Sequence, residues 1–177
     1  MEIKVMVENA VSDSKAIKDV IVKSDPGGKY LTFVLGDEVF GIQITKVQEI
    51  IRMQNVTKVP RVKPFVRGVI NLRGKIIPVI ELRTKFNMDK QEDTDKTCII
   101  VIQVEGEGVS CTMGVIIDEV REVLNISSEA IEPPTVLGYS ESNDFMLGIG
   151  KIGDEVKILL NIDKILTSSE LAMLAEM

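Results

Sequence analysis

"GIQITKVQEII" (Gly41–Ile51) and "GVIIDEVREVL" (Gly114–Leu124) are one phrase written twice. With Gly41 set on Gly114, Val47 matches Val120, Glu49 matches Glu122, Ile50 matches Val123 and Ile51 matches Leu124. The same offset puts Pro60 on Pro133. After an insertion in the second half, Gly68 meets Gly148, and "PVIEL" (Pro78–Leu82) meets "ILLNI" (Ile158–Ile162). Matches that recur in this order imply two related lobes.

Outward from the repeat, short apolar runs are broken by turn residues. "YLTFVL" ends at "GDE" and "VFGIQI" follows, which is a hairpin pattern. "TCIIVIQV", "EGEG" and "VSCTMGVII" repeat it, with the turn near Gly106–Gly108. The polar run "NMDKQEDTDK" (Asn87–Lys96) separates the two hairpin systems and reads as a solvated loop. Val47, Ile50 and Ile51 also have helical spacing, but the run is too short for a helix by itself. A tight turn leading into a strand is expected in both copies.

Each lobe then holds about five short strands. Closure into small barrels would remove exposed sheet edges. Two such barrels have thin cores, and each gains by burying apolar surface against the other at ~25 cal/mol per Å². The expected fold is mostly β: two five-stranded barrels related by a pseudo-twofold axis. Residues 1–28 are expected to form a flexible, weakly amphipathic tail, closed by "SDPGGK". Lobe one is placed at about 29–90 and lobe two at about 91–166, with exchange of strands at their ends allowed. A C-terminal helix is predicted over 167–177, because Thr167 and Glu170 form a capping box and Leu171, Leu174 and Ala175 share a face.

Composition narrows the chemistry. The net charge of −6 opposes nonspecific nucleic-acid binding. The absence of histidine removes the commonest general base, the usual serine and cysteine triads and most zinc sites. Aromatics at 4% and no tryptophan leave no base-stacking platform. Cys98 and Cys111 sit in apolar segments and read as buried side chains in a reducing compartment. If their segments pair as a hairpin the thiols could approach, so a disulfide stays open as the alternative. The N-terminus lacks the apolar core of a signal peptide, and no apolar run approaches the ~20 residues of a membrane span. A cytoplasmic protein without direct membrane insertion is expected.

Three motifs imitate chemistry. "GIGKIG" (Gly148–Gly153) has the dinucleotide glycine spacing, but acidic Asp154 and Glu155 and a strand-like run follow it. "GVINLRGK" has five residues between its glycines and isoleucines where a Walker motif needs a hydroxyl. The acid pairs Glu105/Glu107 and Asp118/Glu119 have no nucleophile or metal partner beside them and read as surface. No catalytic residue, cofactor or metal site is expected.

Arg73 stands in "GVINLRGKIIPVIEL" (Gly68–Leu82), where its match in the second copy is Gly153, so the lobe does not require it. One reading is an exposed turn arginine. The other is a guanidinium held by a carboxylate, with Glu49 of "VQEII" as the partner, since a carboxylate in an apolar run is costly unless paired. Arginine suits such a site through its planar fork. Asn71 and Gly74 would supply the tight turn, since both tolerate positive φ.

The stretches Tyr30–Arg52, Val59–Phe86, Gly114–Ile126 and Phe145–Leu166, and above all "NLRG…PVIELR", resemble the CheW family of chemotaxis coupling proteins. The resemblance covers nearly everything after the tail. Departures are the long tail and Glu81, where aspartate is frequent. The resemblance implies SH3-like barrels, no catalysis, and two partners. One is the regulatory domain of the histidine kinase CheA, docking barrel to barrel. The other is the cytoplasmic tip of a chemoreceptor, held in the groove between the lobes. It also implies a monomer in isolation that is recruited to membrane receptor arrays. Positions that match residues implicated in these contacts are Val47, Glu49, Gly68, Arg73, Val120 and Val123, with Val47 and Val120 expected to line the groove as equivalents. The alternatives kept beside it are an adaptor of another signalling system and an enzyme of unknown type.

Overall fold

The structure, a computed structural model, describes residues 25–137 and 144–177, so the expected flexible tail lies outside the described residues up to residue 24. The strands are β1 (Gly28–Leu35), β2 (Glu38–Gln43), β3 (Val47–Arg52), β4 (Val66–Leu72), β5 (Lys75–Glu81), β6 (Cys98–Gly106), β7 (Val109–Ile117), β8 (Glu119–Ile126), β9 (Ile131–Glu132), β10 (Met146–Ile152) and β11 (Glu155–Leu160). A short helix α1 (Leu82–Lys85) follows β5, and α2 (Ser168–Ala175) closes the chain. The segment after each repeat glycine does turn and enter a strand, β3 in one copy and β8 in the other.

The strands make two sheets. A central lobe has the order β3-β6-β7-β5-β4, and a terminal lobe the order β8-β1-β2-β11-β10-β9. Setting aside two-residue β9, the orders superimpose one for one. Each lobe has one parallel pairing, β5 with β7 and β11 with β2. Gly114 pairs with Val79 in one, and Gly41 with Leu159 in the other. The repeat glycines are there for packing: a Cβ on Gly114 would lie 2.7 Å from Ile99 Cγ2, and one on Gly41 2.9 Å from Leu159 Cδ2. The prolines are not equivalent. Thr57 bridges Val69 where Glu132 pairs with Ile149, so Pro60 follows its bridge by three residues and Pro133 by one.

The lobes do not divide near residue 90. The central lobe takes β3–β7, residues 47–117, and the terminal lobe takes 28–43 together with 119–160. Each lobe thus borrows its middle hairpin from the other sequence repeat. A tight turn dictates which two strands form a hairpin, but not which sheet edge that hairpin joins.

Alternation explains the apolar runs of the central strands. In β6, Ile99 and Val101 face the interior of the central lobe, with Ile70, Ile77, Val79 and Ile116. Ile100, Ile102 and Val104 face the other way, into a larger cluster that also takes Leu31, Phe33, Leu35 and Ile42 from the terminal lobe. The terminal lobe has its own small interior around Tyr30, Ile126 and Leu159. Both faces of these strands are buried, so the largest core lies between the lobes. In the terminal lobe the side chain of Ile126 on β8 reaches across to β10, since a Cβ on Gly150 would lie 3.6 Å from its Cδ1.

Three local expectations resolve here. β6 and β7 form the expected hairpin, but Cys98 pairs with Ile117 and Cys111 with Val104. Their rows are six positions apart, ~20 Å along the strands, and both thiols are free. The loop at 87–96 is exposed apart from Met88. It is nevertheless tied down by Arg67, which binds both Asp93 oxygens at 2.9 and 3.1 Å, and by Arg83, which donates to Asp89 O and Gln91 Oε1 at 2.9 Å. In α2 the Thr167–Glu170 capping box forms, and Leu171 and Leu174 are buried. Ala175 is exposed, and Met173 packs against the shared core instead.

Candidate partner-binding site

The β4–β5 hairpin turns on Arg73 (φ 50°) and Gly74 (φ 86°), between the paired Leu72 and Lys75. Two consecutive residues with positive φ match the twist of the flanking strands. Asn71 does not sit in the left-handed region as expected. It belongs to β4, and its Oδ1 accepts from Gly74 N at 2.8 Å, which braces the turn. The left-handed residue is Arg73 itself, and its match Gly153 has the same conformation at φ 61°.

This turn aims the guanidinium at Glu49. Arg73 Nη1 donates to Glu49 Oε1 at 2.8 Å and Nη2 to Oε2, a bidentate pair. The Glu49 side chain is 9% exposed and that of Arg73 is 67% exposed. Both readings of Arg73 therefore hold together: it is a water-facing turn arginine that covers a buried carboxylate. Glu49 lies on β3 and Arg73 on the hairpin of β4, which are opposite ends of the sheet order. The pair closes the central barrel, and the terminal barrel has no counterpart because Gly153 has no side chain.

Gly68 lies at the other end of β4, at its bulge. A Cβ there would stand 2.0 Å from Thr57 O, and its φ of 151° disfavours a side chain. It lets β4 bulge and pair with the segment at Thr57. Val47, Val120 and Val123 gather elsewhere, on the shared core. Val47 is 1% exposed and pairs with Ile102, so it presents no surface and does not line a groove. Val120 and Val123 are half-buried on β8, the edge strand of the terminal lobe. The six residues thus fall in separate places: the Glu49–Arg73 pair at the β4–β5 tip, Gly68 at the β4 bulge beside Thr57, Val120 and Val123 on β8, and Val47 within the shared core.

Two surface residues escaped the sequence reading. Ile76 and Val156 are exposed large aliphatics, at 55% and 56%. They occupy matching positions, each just after a hairpin tip. The tips carry opposite charge: Arg73 and Lys75 on one, Asp154 and Glu155 on the other. The repeat alignment set Ile76 on Val156, and continuing it to the tips would have found them. A shallow groove beside Ile76 is lined by Pro78, Leu174, Ala175 and Met177.

The thiols are not poised for reaction. Burial pushes Cys98 up to about 11, against a weaker pull downward from the Val120 backbone, and burial raises Cys111 as well. Among the described residues, no group of three or more acidic, cysteine or histidine side chains could hold a metal ion, and no helix is long and apolar enough to cross a membrane.

Paired barrels with a clasped hairpin and exposed, oppositely charged tips place the chain in the class of small two-lobed β proteins. The family model described as "CheW-like domain" matches residues 29–170, and the chain belongs to the CheW family. It is 37% identical over 147 residues to the chemotaxis protein CheW of Klebsiella aerogenes, covering 83% of this chain and 86% of that protein. It is 35% identical over 136 residues to the CheW of Bacillus subtilis, covering 77% and 83%. The crystal structure of the scaffolding protein TtCheW from Thermoanaerobacter tengcongensis superimposes with a TM-score of 0.71 at 32% identity, over 81% of this chain and 95% of that one.

Proposed function

We propose that this protein is a non-catalytic adaptor that links chemoreceptors to the histidine kinase CheA in membrane-associated signalling arrays. The observation that carries the reading is the family match through both lobes, 29–170, with the Arg73–Glu49 clasp formed inside it. The adaptor acts by binding alone, so that receptor conformation biases the kinase. The barrel ends, with their charged tips and exposed Ile76 and Val156, suit docking of the kinase's CheW-like regulatory domain. The half-buried Val120 and Val123 suit the apolar stripe of a receptor helix, an established recognition mode. Receptor contact would hold the protein at the membrane while the adaptor itself is a monomer in isolation.

The test is calorimetric titration with the CheA regulatory domain and with a receptor tip fragment, separately and together. Saturable binding of both, with formation of a ternary complex, is the expected result. Failure to bind either would overturn the reading. Arg73→Asp should weaken at least one of the two while circular dichroism stays unchanged.

A further inference from the structure

The largest core of this protein lies between two lobes of one architecture, and apolar burial is non-directional. By that force alone, a central lobe could face the central lobe of another copy as well as its own terminal lobe. Charge at the seam separates the two outcomes.

Among the described residues the chain passes between the sheets twice. At one passage Asp118, between β7 and β8, receives Arg83 of α1. Arg83 Nε donates to Oδ1 at 2.8 Å and Nη2 to Oδ2. Asp118 Oδ2 also accepts from Gly36 N at 2.8 Å, in the β1–β2 turn. At the other passage Lys46, just before β3, donates to Asp163 Oδ2 at 2.7 Å, and Asp163 Oδ1 accepts from Glu105 N at 3.0 Å.

These junctions are pseudo-equivalents. One further step of the "PVIEL"/"ILLNI" match sets Arg83 on Asp163. The Gly41/Gly114 match sets Thr45 on Asp118, with Lys46 one residue beyond. Val47 pairs with Ile102 as Val120 pairs with Phe33, which sets Glu105 on Gly36. These are junction residues outside or at the ends of the sheets. Assigned to the strand that each leads into or directly follows, the acids Asp118 (into β8) and Asp163 (after β11) go with the terminal lobe, and the cations Lys46 (into β3) and Arg83 (after β5) with the central lobe. All four side chains are at most 30% exposed, so water screens them weakly.

We propose that these two junctions specify that unlike lobes pair. Two terminal lobes face to face would set acid against acid at both junctions, and two central lobes would set cation against cation. Like charges at a close seam act against the wrong assembly as well as favouring the right one.

The test exchanges charges in the full chain and reads the refolded product. Arg83→Asp with Asp118→Arg keeps attraction at its junction and copies the polarity of the other one. It leaves each lobe with one acid and one cation, so like lobes no longer repel. Lys46→Asp with Asp163→Lys does the same at the second junction. Combining all four substitutions restores one sign per lobe. After refolding from denaturant at several concentrations, light scattering on a sizing column should show at least about a five-fold larger oligomeric fraction for each two-substitution variant than for the unsubstituted chain. The four-substitution variant should return most of the way. Two-substitution variants that refold as cleanly as the unsubstituted chain would overturn the proposal. So would a four-substitution variant no better than its parents, including the case in which none of them folds.

Discussion

Arg73 shows how one residue carries two physical roles. Its exposed guanidinium has surface to offer a partner, yet its loss uncovers a carboxylate that has 9% exposure. An exposed ion pair by itself is worth little, but an unpaired buried charge is not. Arg73→Ala should therefore cost about 1–2 kcal/mol in urea unfolding, more than a free surface arginine would. In a double-mutant cycle with Glu49→Gln, a coupling of at least about 0.5 kcal/mol is expected; coupling near zero would mean that the clasp contributes no stability. At Cys98 burial decides. Its thiol rises from 9.0 to about 11 in the folded state, so the folded protein holds the proton more tightly than the unfolded chain. The associated stability is fully present below pH 9 and is lost as pH rises toward 11. Chemical unfolding at pH 8 and pH 10.5 should show this decline, and Cys98→Ala should reduce it, leaving the part that the buried Cys111 contributes. Burial pushes Tyr30 up to about 12, so its own contribution fades higher on the scale.

At the scale of elements, α2 is held by a polar junction and an apolar one. Lys85 Nζ donates to both Glu170 oxygens at 2.7 and 3.0 Å, and Glu170 Oε1 also accepts from Thr167 N at 2.9 Å. Burial works to raise the Glu170 carboxyl, but the hydrogen bonds from Lys85 and the Thr167 backbone outweigh it and hold it below the usual carboxylate range. A depressed folded value contributes stability above the ordinary carboxylate pKa, and that stability is lost as pH falls through the folded one. Protection of the amides across 168–175, taken relative to intrinsic exchange at each pH, should therefore fall in acid before the sheets open, and Glu170→Gln should remove that pH step. Thr167→Ala should cost about 1 kcal/mol through the cap alone. Leu171→Ala should cost about 2–5 kcal/mol, because Leu171 sits in the shared core. The capping box and the buried leucines were legible in the sequence, since both are local. The exposure of Ala175 was not, because it depends on where the sheet ends beneath the helix.

The whole molecule unites what the sequence lists in series. Each lobe takes a hairpin from the other repeat, and the largest core belongs to neither lobe alone. The lobes should consequently melt together. Calorimetry is expected to show one transition with equal calorimetric and van't Hoff enthalpies, whereas two resolved transitions would mean independent lobes. What the sequence by itself determined is what tight turns and residue spacing control: the hairpins, the repeat, the helix cap and the pairing candidate for Arg73. The lobe to which each hairpin belongs, the burial of Val47 and the separation of the cysteines were decided only by the tertiary structure. The reason is physical. Turn geometry and alternation act over a few residues, whereas a strand with two apolar faces satisfies either sheet until the contacts across both faces are made at once.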